Sequence, residues 1–159
     1  MDARPLLEQI ANALARVRLE AILIGNAAAA IHGAPVTTVD FDFLFRRTPT
    51  NLAKLKRFAA LMGAVVLQPC YPASDLYRVM NDDSGLQVDF MVRIHGIKSF
   101  NSVRCRAVRV HIGGHPLWVA SLEDIIKSKR PAARPRDNAV IEILERTWDE
   151  KIKLSKRSR

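Results

Sequence analysis

Apolar residues recur at Leu6, Leu7, Ile10, Leu14 and Val17 while Glu8, Arg16 and Arg18 fall off that stripe, a spacing that predicts an amphipathic helix at the start of the chain. The block from Ala21 to Ile24 is too short for a helix, is bounded by Gly25, and reads as a buried strand. Ala27 to Ile31 are good helix formers ahead of the break His32-Gly33-Ala34-Pro35, so strand, tight turn and short helix make the first unit. Val39 to Phe45 is rich in β-formers, and Thr48, Pro49 and Thr50 stop it and cap the next element. Leu52, Leu55, Ala59 and Met62 then define a second amphipathic helix with Lys54, Lys56 and Arg57 on its outer face, ended by Gly63.

Ala64 to Leu67 predicts another strand, and Leu76 to Met80 and Leu86 to Val92 predict a hairpin around Asn81-Asp82-Asp83-Ser84-Gly85. Val103 to Ile112 alternates but shifts phase near Ala107 and Val108, the pattern of a bulged or two-part strand. Gly113-Gly114 turns the chain into Pro116 to Val119. Ser121 opens a helix with Asp124 in the capping-box position and Leu122, Ile125 and Ile126 as its apolar face, and Pro131 breaks it. Pro135 opens a last helix through Val140, Ile141, Leu144 and Trp148, followed by a basic, frayed tail carrying Lys151, Lys153, Lys156, Arg157 and Arg159. The fold class expected is α/β (α+β): a mixed β-sheet with helices packed mainly on one side, a single domain over residues 1–150 with the tail at 151–159.

Composition narrows the setting. A chain of 159 residues suits one compact domain with a real core. Its 48% apolar residues come in short blocks with no run long enough to span a bilayer, so no membrane association is expected. Met1 to Val17 carries both charge signs and no signal-peptide pattern, which points to the cytoplasm. Cys70 and Cys105 stand outside any CxxC spacing, against a disulfide scaffold or a zinc site. The strongest signal is charge. Against 16 Asp and Glu stand 25 Lys and Arg, a formal +9 that attracts nucleic acid, nucleotides or an acidic protein partner. Lys98 to Arg136 holds nine Lys or Arg against only Glu123 and Asp124, which suggests a groove for RNA or nucleotide phosphates.

The candidate chemistry lies in "VDFDFLF". Strand residues two apart share a face, so Asp40 and Asp42 should project together while Phe41, Phe43 and Phe45 enter the core. Adjacent carboxylates repel unless something positive sits between them; hard oxygens suit Mg²⁺ or Mn²⁺. The plain alternative is a pair of surface acids or partners for Arg46 and Arg47. A third carboxylate, Asp89 in "GLQVDFMV", again sits inside an apolar strand where a charge needs a partner. Three strand-borne aspartates can converge on one or two metals, as two-metal phosphoryl transfer requires. Upstream, Gly25-Asn26 at a strand-to-helix turn would let backbone amides approach an anion. His32 reads as a helix-end residue, His95, His111 and His115 show no ligand spacing, and Trp118 and Trp148 read as core anchors.

These elements together resemble the nucleotidyltransferase-fold superfamily of polymerase β type, whose pattern is a Gly-Gly or Gly-Ser turn, an Asp-x-Asp or Asp-x-Glu strand and a third acid on a later strand. The chain is similar in particular to small bacterial nucleotidyltransferase domains of toxin–antitoxin and abortive-infection systems, with stretches like "IHGAPVTTVDFDFLF" and "ASLEDIIKSKRPAARPRDNAVIEIL"; the likeness covers about residues 20–147. The resemblance implies that Asp40 and Asp42 bind the metals that carry a nucleoside triphosphate, and that Asp89 completes the site and helps deprotonate the acceptor hydroxyl. It implies that Gly25 and Asn26 hold the triphosphate and that Lys127, Lys129 or Arg130 supply positive charge to it. Asp137 matches an acid of the family's last helix, for catalysis or for pairing with Arg130 or Arg134. The chain departs from the pattern at Asn26, where Gly or Ser is usual, at Ala133 and Val140, where relatives often carry Gly and Asp, and at Pro131 directly after Arg130.

The activity expected is Mg²⁺- or Mn²⁺-dependent transfer of a nucleoside monophosphate from an NTP to an acceptor hydroxyl. A tRNA 3′ end fits the basic surface and a toxin role. A protein hydroxyl or a small molecule such as an aminoglycoside fits the site equally, although a chain at +9 disfavours a cationic acceptor. The rival readings are a non-enzymatic basic nucleic-acid-binding protein, and a toxin-like subunit that mainly docks an acidic antitoxin.

Overall fold

The computed structural model describes residues 3–68, 75–130 and 135–158, without the side chains of residues 136 and 137. Cys70, Pro131, Ala133, Arg134 and the side chain of Asp137 fall outside that description. The elements run α1 (Arg4–Val17), β1 (Ala21–Ile24), α2 (Gly25–Ile31), β2 (Phe41–Phe45), α3 (Pro49–Leu61), β3 (Val65–Leu67), β4 (Leu76–Asn81), β5 (Leu86–Met91), α4 (Phe100–Arg106), β6 (Val108–Ile112), β7 (His115–Val119), α5 (Leu122–Lys129) and α6 (Pro135–Arg157). Seven strands form one mixed sheet in the order β3-β4-β5-β2-β1-β7-β6. Strand β1 runs antiparallel to β2 and parallel to β7, while β2 runs parallel to β5. The chain thus adopts the expected mixed α/β class.

The phenylalanines set the inner layer. Phe41, Phe43 and Phe45 alternate onto one face of β2 and are buried. Phe43 stacks on Phe90 of β5 with centroids 5.3 Å apart, and Phe58 of α3 meets the same ring edge-on at 5.4 Å, which fastens α3 to that face. Asn51 is a buried polar clasp: its side chain accepts from the Glu20 amide and donates to the carbonyls of Glu20 and Arg46, joining the start of β1 to the end of β2. Thr48 caps α3 by accepting from the Asn51 amide, and Ser121 caps α5 by accepting from the Asp124 amide at 3.2 Å. Ser121 also donates to the Asp124 carboxylate, which is buried and takes the Arg106 guanidinium at 2.6 Å.

Two elements differ from expectation. Residues 100–106 are helical, not the first half of a strand: Ser99 caps the turn by accepting from the Ser102 amide, and Phe100 and Val103 fall one helical turn apart with Val103 fully buried. Only Val108–Ile112 pairs as a strand, with β7. The basic C-terminal segment is not frayed; it continues α6 as far as Arg157, with Lys151, Lys153, Lys156 and Arg157 exposed.

Candidate active site

Strand register builds the site. Asp42 on β2 lies beside Asp89 on β5; Asp89 lies across from Arg78 on β4; and Ile24 at the end of β1 flanks Asp42 from the other side. Paired residues in neighbouring strands project to the same face, so Arg78, Asp89 and Asp42 form a charged row across three adjacent strands. Because Phe43 and Phe90 form the next pair along and occupy the opposite face, the row cannot slip by one residue without exposing the aromatic core.

Gly25 follows Ile24 directly and packs against this row. Its φ is +68°, and a Cβ placed there would come within 2.8 Å of Asp42 Oδ2. Both the left-handed backbone and the close approach exclude a side chain. Gly25→Ala is therefore expected to destabilise the fold by about 1–2 kcal/mol through the positive φ and to displace the Asp42 carboxylate, measurable as a lower denaturation midpoint accompanied by lost activity. Asn26, next in α2, has its Oδ1 buried without a hydrogen-bond partner among the described residues, an acceptor left open beside the turn.

The carboxylates differ in environment. Asp40 is exposed just ahead of β2, where Thr38 holds its backbone: Thr38 Oγ1 donates to the Asp40 carbonyl at 2.8 Å and accepts from the Asp40 amide at 3.2 Å. Thr38 thus sets the strand entry rather than the carboxylate. Asp42 is half-buried, and its carboxyl is pushed up to about 6, first by burial and then by the charges of Asp89 and Asp40, with Lys129 and Arg78 pulling the other way. Asp89 is buried and accepts from Arg78 Nε and Nη2, each at 2.8 Å, in a bidentate pair.

The three basic candidates separate. Lys129 is the one whose charge reaches Asp42. Lys127 is taken by Glu123 one turn earlier at 2.6 Å, and Arg130 by Glu145 of α6 at 2.6 Å. His32, capping the end of α2, is structural. Its Nε2 lies 2.7 Å from the Ala120 carbonyl, which can only accept, so Nε2 carries the proton and Nδ1 accepts from Lys151 Nζ at 3.1 Å. Burial, with the Lys151 charge, holds that imidazole below its ordinary pKa.

A model of the family described as "Nucleotidyl transferase of unknown function (DUF2204)" matches residues 5–159. The chain belongs to this nucleotidyltransferase family. No curated protein sequence matches it. Among solved structures, the nucleotidyltransferase is similar to the antibiotic-resistance factor ANT(2″)-Ia in solution, with a TM-score of 0.61 at 14% identity over 99% of this chain and 98% of that one. It is similar to ANT(2″)-Ia in complex with adenylyl-2″-tobramycin, with a TM-score of 0.61 at 18% identity over 94% and 92% of the two chains. JHP933 from Helicobacter pylori gives 0.57 at 18% identity, over 92% of this chain and 66% of that one. At these identities the likeness is one of fold.

Members of the wider fold carry divalent cations, and the donor set here can be tested for one. Asp40 and Asp42 offer hard oxygens; burial, then the charges of Asp89 and Asp40, disfavour an ionised Asp42 that has no cation beside it; and the absence of a side chain at Gly25 leaves space against Asp42 Oδ2. These features fit a cation at Asp40 and Asp42. The expected convergence of three aspartates is not a ready-made cage, however: among the described residues no three carboxylate, histidine or cysteine side chains are grouped to hold an ion. The physical reason is Arg78, whose guanidinium already occupies both oxygens of Asp89. Arg78 is the site residue that sequence reasoning missed. The signal was available, because a four-residue loop at Asp82–Gly85 pairs Asn81 with Leu86 and so places Arg78 opposite Asp89.

Proposed function

We propose that this nucleotidyltransferase moves a nucleoside monophosphate from an NTP to an acceptor hydroxyl in a reaction that depends on Mg²⁺ or Mn²⁺, with an RNA 3′ end, such as that of a tRNA, as acceptor. The observation that carries this reading is the packing of Gly25 against Asp42 with Asp89 in the adjacent register position. A bound divalent cation would neutralise the triphosphate and the charge that develops on the leaving pyrophosphate. Asp40 and Asp42 would hold it, the Gly25-Asn26 turn would receive the phosphates, and Lys129 would add positive charge from α5. The acceptor oxygen attacks the α-phosphorus, the bond to the bridging oxygen breaks, and pyrophosphate leaves with the electron pair. The hydroxyl proton would pass to Asp89 through the lone pair that each of its oxygens keeps beyond its single bond to Arg78, which fixes the plane of the carboxylate.

The choice of acceptor rests on charge. Met91, two residues beyond Asp89 on the same face, and its partner Leu76 line a cavity of about 910 Å³ with Arg93, His95 and Lys98. The acid there, Asp75, is shared by Arg47 at 3.0 Å and Arg93 at 3.3 Å. A polycationic sugar such as the tobramycin adduct held by ANT(2″)-Ia would meet like charge in this cavity, whereas a phosphate-bearing acceptor would meet complementary charge. The toxin role that the resemblance implies would follow from modifying tRNA ends, and an acidic antitoxin is the partner that a +9 chain suits.

The test supplies each labelled NTP with Mg²⁺ or Mn²⁺, offering total RNA in one reaction and tobramycin in another. Label is expected at RNA 3′ ends, with loss in EDTA and in Asp42→Asn. Transfer to tobramycin in preference to RNA would overturn the acceptor; no transfer from any NTP to either would overturn the catalytic reading.

A further inference from the structure

At the end of β1 remote from the site lies a second basic feature, which the proposed reaction does not use. A cavity of about 500 Å³ opens between the end of α1, α4 and the β6–β7 hairpin, and Arg18, Arg46, Arg104 and Arg109 all line it. Ala21, at its edge, starts the strand that ends at Ile24 beside Asp42, so roughly 10 Å of strand separates the two regions.

Two of the four guanidiniums lie over aromatic rings. Arg104 lies over Trp118, its Cζ 3.2 Å from the ring centroid, and Arg46 lies over Phe100 at 4.8 Å. Trp118 is the register partner of Arg109, so both project to one face of the hairpin. One lining acid, Glu20, answers the four guanidiniums; it approaches Arg46 at 3.4 Å, and Arg46 also donates to Asn101. Among the described residues no carboxylate pairs with Arg18, Arg104 or Arg109. The contrast with the neighbouring basic residues is informative. Arg106, Lys127 and Arg130 each have an acidic partner, whereas Arg18, Arg104 and Arg109 bring charge without one to a single cavity.

We propose that this cavity is a second binding site for the phosphate of a nucleotide unit, separate from the catalytic row. Guanidiniums suit phosphate because their planar forks match its oxygens, and Arg104 stacked on Trp118 leaves its outer plane able to carry a base. The volume admits one nucleotide unit, and three guanidiniums without carboxylate partners supply the positive charge that complements an anionic phosphate ester. The same chemistry is offered by a free nucleotide and by an RNA strand, which the test separates.

Trp118 is the reporter. In the full chain carrying Asp42→Asn to disable the catalytic row and Trp148→Phe to remove the other indole, Trp118 fluorescence is followed in EDTA during titration with inorganic phosphate, AMP, ATP and a single-stranded RNA 12-mer. A saturable change is expected, weakened at least tenfold by Arg109→Glu and by Arg18→Glu, with Arg104 left in place on the ring. Saturation by AMP or ATP identifies a free nucleotide as the ligand; saturation by RNA alone identifies a strand. No saturable change with any of these, or binding that survives both charge reversals, overturns the proposal and leaves the arginines as surface charge. Because the titration needs no turnover, its outcome stands apart from that of the transfer assay.

Discussion

Asp42→Asn is expected to reduce nucleotidyl transfer by at least about 10³-fold while making the ligand-free protein more stable. Burial and the neighbouring Asp89 and Asp40 raise the Asp42 carboxyl from 3.8 to about 6 in the folded protein. A group raised on folding adds stability that is fully present below its unfolded pKa and is lost as pH climbs through its folded pKa. For Asp42 that window runs from about pH 4 to just above pH 6, and the shift corresponds to about 3 kcal/mol. An amide of the same shape carries no charge to be lost. The variant should thus match the parent near pH 4 and exceed its melting temperature by roughly 6–12 °C at pH 7.5 in EDTA. Thermal scans across pH 4–8 check the sign, and Mg²⁺ should narrow the gap by stabilising only the parent. A variant less stable than the parent at pH 7.5 would show that the Asp42 carboxylate is not repelled where it sits.

The second large effect concerns Arg78. Replacing it with Met leaves the buried Asp89 without its guanidinium, beside Asp42 and within the field of Asp40. Loss of one partner from a buried pair typically costs about 3–5 kcal/mol; here Arg78 is 32% exposed and Asp89 12%, so about 2–3 kcal/mol is expected. Most of that loss should return in the double variant Arg78→Met, Asp89→Leu, which replaces the pair by apolar side chains. Added Mg²⁺ should raise the melting temperature of Arg78→Met more than that of the parent, because a cation can then serve both carboxylates. Denaturant unfolding of the four proteins of this cycle measures the coupling. A cost for Arg78→Met that persists undiminished when Asp89 is absent would show that Arg78 acts by packing alone.

Local chemistry is the legible part of this sequence. The block Ala21–Ile24, the caps at Thr48 and Ser121, and the turn at Asn81–Gly85 are each encoded within a few residues, and each forms as read. Residues 100–106 mislead because Val103 to Arg106 alternates over only four positions, too few to separate a strand from a turn of helix, while the deciding partner of that helix face is a distant core. Asp40, Asp42 and Asp89 can be singled out because carboxylates among phenylalanines and valines are conspicuous. Their relation to one another is harder to read, since the parallel pairing of β2 with β5 is made across more than forty residues and leaves no local trace. The partners of Lys127 and Arg130 show the same contrast: Glu123 stands one turn from Lys127, whereas Glu145 meets Arg130 only through the packing of α5 on α6.

The crowding of Asp42 also bears on how such a chain diversifies. Where a single amide in place of a carboxyl yields a sturdier protein, random drift runs downhill toward silent copies that keep the fold and lose the reaction. Only continued demand for turnover would preserve an acid in that position. Under the proposed function, the acid in this chain, with the glycine that makes room for it, would be the imprint of that demand.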